Sequence, residues 1–175
     1  MRVLKQRLSS GLGDPRRYHA QSTLNTLTLE FGFYEYEIDG KPYPKPHRQA
    51  DFIVDGSGLG IVFDIETSRP WFGQTCFDRL PNHAGTMIDE LLGLRAIKCG
   101  LTDDRFPLYL CHCGDLQCGV ISCGIDRSDN LVRWRDIRFE EDDDEPPENS
   151  TQIPSFEFYT SEYDLAVKTF AAKIA

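Results

Sequence analysis

Residues 23–36 (TLNTLTLEFGFYEY) alternate, with Leu27, Leu29, Phe31 and Phe33 at one parity and Leu24, Thr26, Thr28 and Glu30 at the other. That is the period of a half-buried strand. Gly32 inside it predicts a bulge. Asp39-Gly40 reads as a hairpin-type turn, and residues 41–47 (KPYPKPH) are too rich in proline for a central strand. Ala50 to Val54, the turn Asp55-Gly56-Ser57-Gly58, and Leu59 to Glu66 predict a second hairpin. The first third is therefore expected to be a β-meander.

Residues 67–81 (TSRPWFGQTCFDRLP) have no clear period and read as a long loop carrying exposed or half-buried aromatics. Asn82 follows as a helix N-cap, with Met87, Ile88, Leu91 and Leu92 at helical spacing and Gly93 as the stop. Leu108 to Cys113, Val120 to Ile125 and Leu131 to Phe139 predict three strands around glycine and polar turns. Ser155 to Tyr159 alternates as a last strand. Ser161, with Asp164 three residues on, predicts the cap of a final helix whose apolar face is Tyr163, Ala166, Val167, Phe170 and Ile174. Runs of strands broken by two helices, rather than alternating βαβ units, predict an α+β fold. Its sheet is mainly antiparallel, a meander, with both helices packed on one face.

At 175 residues, 40% of them hydrophobic, the chain suits a single domain spanning 1–175 with a sizeable core. No apolar run approaches the roughly 18 residues a membrane helix needs. The basic first twenty residues lack the apolar centre of a secretory signal, so the expected location is the cytoplasm. The net charge of −9 is local, because residues 140–148 (EEDDDEPPE) hold seven of the 28 acids, leaving 21 against 19 bases elsewhere. An acidic loop over 140–150 is expected to precede the final strand and helix. Such a block repels phosphate backbones and disfavours nucleic acid as a partner, whereas it steers basic proteins.

The candidate chemistry is concentrated at Cys111, Cys113, Cys118 and Cys123. Spacing of i, i+2 puts Cys111 and Cys113 on one side of a strand, and the glycine turn returns Cys118 beside them. Thiolates converging on a turn are how zinc is held. The paired C-x-x-C halves of the strongest zinc patterns are missing, and His112 points to the opposite face. Buried, unligated thiols are the leading reading, a structural zinc site the second and a disulfide the third. Beyond that zinc, no cofactor is expected. Cys113-Gly-Asp-x-x-Cys118-Gly119, followed by Val132-x-Trp134, resembles a signature of small bacterial proteins. That resemblance covers roughly residues 107–139 and implies no activity or ligand. The small, acidic format is also similar to that of immunity proteins of bacterial toxin systems, which implies a cytoplasmic, non-catalytic inhibitor.

Other constellations are weaker. Asp64 and Glu66 share one side of a predicted strand, as metal-binding carboxylates of hydrolases do, but position 68 is Ser where a nuclease has lysine. Cys76, His83 and Asp78 suggest a thiol protease without any local signature. Gly56-Ser57-Gly58 lies between strands, where a hairpin turn is the simpler reading than a phosphate loop. Trp71, Phe72 and Trp134 are read first as packing and second as ligand contacts. The expected function is thus the binding of another protein, most concretely a basic toxin domain. Glu140, Glu141, Asp142, Asp143, Asp144, Glu145, Trp71 and Phe72 are its candidate contacts. The alternatives are a structural zinc protein and a metal-dependent hydrolase using Asp64 and Glu66.

Overall fold

The computed structural model describes residues 6–7, 24–35, 37–38, 41–42, 47–62, 72–98, 101, 104–111, 113–116, 118–140 and 155–174. Strands β1 (Gln6–Arg7), β2 (Leu27–Glu35), β5 (His47–Val54) and β6 (Ser57–Gly58) form one antiparallel sheet in the order β1-β2-β5-β6. A small pair, β3 (Glu37–Ile38) and β4 (Lys41–Pro42), stands apart from it. Five further strands make the second sheet: β7 (Phe72–Thr75), β8 (Phe106–Cys111), β9 (Val120–Arg127), β10 (Leu131–Glu140) and β11 (Phe156–Tyr159), in the order β11-β10-β9-β8-β7. The helices are α1 (Leu59–Val62), α2 (Cys76–Arg79), α3 (Ala84–Leu91) and α4 (Thr160–Ile174), with a 3-10 turn at Pro81–His83. This is the expected α+β architecture, mostly antiparallel sheet. Among the described residues no helix is long and apolar enough to cross a membrane.

Alternation decides which side of each strand is inside. Leu27, Leu29 and Phe31 stand opposite Val54, Phe52 and Ala50 in the β2–β5 ladder, and all six pack into the core. Trp134 and Phe158 supply the facing layer from the second sheet, with Trp134 5.6 Å from Phe52 and 5.4 Å from Phe158, centroid to centroid, both edge-on. Tilted and edge-on rings are the preferred geometry for aromatic pairs, and each ring buries a large area. The Trp134 indole donates to the buried Tyr163 hydroxyl at 3.2 Å. Loss of solvation raises the pKa of that phenol well above its ordinary value. The sheets are stitched together at one edge, where the Asn25 amide N–H donates to the Glu157 carbonyl and the Glu157 N–H to the Asn25 side chain.

Helix α4 lies over this core with Tyr163, Val167 and Phe170 buried, the predicted face. It begins two residues earlier than a cap at Ser161 predicts, at Thr160. Asp164 ion-pairs with Arg127 at 2.7 Å instead of closing a capping box. Arg127 also donates to the Leu91 carbonyl at 2.9 Å and lies over the Tyr163 ring, so one guanidinium ties β9 to the ends of α3 and α4. Gly93 ends α3 with φ +69°, as expected, and a side chain there would collide with Arg127.

Several expectations give way. Gly32 pairs in register with Gln49, so β2 has no bulge there; the irregularities fall in β7–β8, β8–β9 and β9–β10. After the Asp55-Gly56 turn the apolar run does not return as a long strand. It gives two residues of β6 and then α1, since a short apolar run fits either conformation and the buried Leu59 packs as well from a helix. The stretch read as a loop contains β7 and α2 and ends at the first residue of the 3-10 turn. Its Phe77 is buried against Phe52 and Phe170, an anchor too short-ranged to show as periodicity. Asn82 lies inside the 3-10 turn, and His83 occupies the N-cap position of α3 without a side-chain cap bond.

Strand β10 outruns its neighbour. Among the described residues it pairs with β11 from Leu131 to Trp134, then kinks between Arg135 and Arg138 and continues to Glu140 along β9. Asp136 takes φ +49° at this kink. Arg105, just before β8, fills the space beneath it.

Candidate metal centre

Strand β8 ends at Cys111, and the chain reverses through two tight turns before β9. Gly114 N–H bonds the Cys111 carbonyl at 2.9 Å, Cys118 N–H bonds the Asp115 carbonyl at 3.3 Å, and Cys111 N–H bonds the Gly119 carbonyl at 3.3 Å. The first turn requires φ +78° at Gly114, a conformation glycine adopts without penalty. These turns bring the sulfurs of Cys111, Cys113 and Cys118 within 4.8 Å of one another. The Cys118 thiol donates to the Cys111 sulfur at 3.4 Å.

A tetrahedral ion with metal–sulfur bonds near 2.3 Å needs sulfurs about 3.8 Å apart. The cluster therefore fits a thiophilic cation with only small side-chain adjustments. Cys111 is buried, whereas Cys113 and Cys118 are exposed on the turn. Exposure overturns the reading of these two as buried thiols.

Two of the sulfurs depart from the ordinary thiol value, in opposite directions. Cys113 lies below the usual thiol range because the Asp115 backbone N–H, and then the Cys111 thiol, donate toward its sulfur. Cys118 is pushed up to about 12 by its hydrogen bonds with Cys111 and Cys113, which favour its protonated form. A metal bound here would displace the proton that Cys118 holds.

Cys123 is outside the cluster. It sits in β9 opposite Phe106, deep in the core on the side of Tyr163. Four residues of extended chain carry it roughly 13 Å beyond Gly119, too far for a shared ion. Among the described residues the site offers three ligands, not four, and no disulfide joins the cysteines. His112 and Cys99 lie outside the described residues.

The chain was compared with protein-family models, with curated proteins and with solved structures. None of these comparisons gave a match.

The remaining predicted positions separate. Phe72 pairs through its backbone with Cys111, so β7 flanks the thiol turn; Trp71 is outside the described residues. Glu140, 18% exposed, is engaged within the chain. Its carboxylate accepts from Arg105 Nε at 2.6 Å and from the Ser122 hydroxyl. Glu141, Asp142, Asp143, Asp144 and Glu145, like Asp64 and Glu66, lie outside the described residues. Cys76 is buried, His83 is exposed, and the Asp78 carboxylate is committed to the Ala50 N–H at 3.0 Å and the Thr75 hydroxyl at 2.8 Å. That arrangement is a tie between β5 and β7, not a nucleophile with its base.

Two residues that matter here were missed in the sequence. Arg79, at the end of α2, packs its stem against the Gly114 turn. Arg105 is buried with two carboxylates. Neither sits in a recognisable motif, and only the three-dimensional order β7-β8-β9-β10 sets their surroundings.

Proposed function

We propose that Cys111, Cys113 and Cys118 hold a zinc ion that pins the β8–β9 turn, and that the pinned protein is a non-catalytic binder of another protein. The convergence of three sulfurs within 4.8 Å supports this reading. Two of the three ligands belong to exposed residues on a turn, a setting that suits a structural pin better than a dry catalytic pocket. Zinc added to metal-free protein is expected to bind at one equivalent. Cys113→Ser should lose most of that binding and Cys123→Ser should keep it. Less than about half an equivalent bound by the unaltered protein, measured by metal analysis after gel filtration, overturns the zinc reading.

The partner we propose is a basic toxin domain, with the protein acting as its immunity factor. The support is the local charge of residues 140–148 against a balanced remainder. The exposed face of the second sheet adds no net field, because its charges are paired: Arg133 with Glu157, Arg135 with Asp126 and Arg138 with Asp136. An immunity role also expects a toxin gene immediately upstream. Replacing Asp142, Asp143 and Asp144 with Asn should slow association more than it speeds dissociation, since long-range charge chiefly sets the on-rate. Rising salt should have the same effect, as exposed charges are screened beyond about 8 Å at physiological ionic strength. An association rate indifferent to both, measured by stopped flow, would remove the acidic tract from the interface.

A further inference from the structure

Arg79 carries a donor left over among the described residues. Its Nε is buried and, among the described residues, has no hydrogen-bond partner. A buried N–H without an acceptor is uncommon, and an absent ion or water is among its regular explanations. The side chain lies against the thiol turn. A methyl group placed on Gly114 would meet Arg79 Cδ at 3.8 Å and Cβ at 3.9 Å. Gly114 is the residue directly after Cys113, and its N–H is bonded to the Cys111 carbonyl. The orphan donor, one bond beyond Cδ, is therefore held beside the loop that carries all three sulfurs.

The charge count of a loaded centre gives this donor a task. Three thiolates around a divalent cation carry a net charge of −1, and a partly buried anion needs a hydrogen-bonded counter-charge. The nearby Asp115 supplies the wrong sign. We propose that Arg79 is the counter-ion of the metal centre, its Nε–H donating to a sulfur of the loaded cluster. The inference rests on the metal reading above and deepens it. The site takes a divalent, thiophilic cation as an anionic trithiolate complex, and the protein neutralises that complex from α2. Arg79 is a positioning residue, since it acts on the sulfurs and not on the metal.

The test uses the full chain, with zinc and cobalt(II) as probes, in the unaltered protein, Arg79→Gln and Arg79→Lys. Removing a second-layer partner of a metal ligand typically weakens metal affinity by about 10–100-fold. Arg79→Gln is expected to fall in that range by chelator competition, and Arg79→Lys to recover most of the loss. The sulfur-to-cobalt charge-transfer band should move to lower energy in Arg79→Gln, because a donor and a positive charge near sulfur stabilise its lone pairs. A merely structural defect would leave the band of the loaded fraction in place. If the unaltered protein gives no such band, the metal reading itself is overturned. A normal band with unchanged affinity and energy in Arg79→Gln would instead sink the counter-ion role alone. So would an Arg79→Lys protein as weak as Arg79→Gln.

Discussion

Arg105→Ala is expected to destabilise the fold by about 3–5 kcal/mol, the usual cost of removing one partner from a buried charge network. The guanidinium is 2% exposed. It donates from Nε to the Ser122 hydroxyl at 2.8 Å and to Glu140 at 2.6 Å, and from Nη1 to Asp136 at 2.8 Å. From Nη2 it reaches the Ser122 carbonyl at 3.1 Å and the Asp136 carbonyl. Without it, the half-buried Glu140 carboxylate loses its innermost counter-charge, and the Asp136 kink loses the group that satisfies its carbonyl. Arg138 is the control. It reaches the same two carboxylates from a side chain 41% exposed, so Arg138→Ala should cost only about 0–1 kcal/mol. Urea denaturation of both variants separates the cases, and similar small losses would mean that the network contributes little.

The second large effect is expected at Phe170. Its ring is fully buried, 4.9 Å from Phe77 and 5.3 Å from Phe31 between ring centroids. It therefore joins α4 to α2 and to β2 at once. Truncating a buried Phe typically costs about 3–5 kcal/mol, because the cavity relaxes only in part. Lys168, two residues earlier, is exposed, and Lys168→Ala should stay within about 0.5 kcal/mol. Thermal and urea unfolding of the pair check this. Equal, small effects would show α4 to be peripheral.

How much of this was legible beforehand depends on the range of the interaction that shapes each element. Strand β2, the strands β8 to β10, and the buried face of α4 are set by local alternation or helical spacing, and their periods name them. Strand β7 and helix α2 are four residues each, too short for a period, and they exist because β8 offers an edge and the core offers Phe77 a socket. Three of the four cysteines met as their spacing required. Cys123 shares the motif in one dimension but is separated by the length of an extended strand. Glu140 looked like the first residue of an acidic surface. Its role is decided by Arg105, 35 positions earlier, and nothing near either residue shows the pairing.

The unequal lengths of β10 and β11 have a consequence for the segment between them. The chain leaves Glu140 and must come back to Phe156, which stands opposite Trp134, a return of six residues or roughly 20 Å along the strand. Six or seven extended residues would span it. The protein spends fourteen, residues 141–154, and moors the departing end with Arg105. The residues that flank the acidic segment, Glu140 and Phe156, are thus both set in the second sheet, and the sequence between them is about twice as long as the return requires.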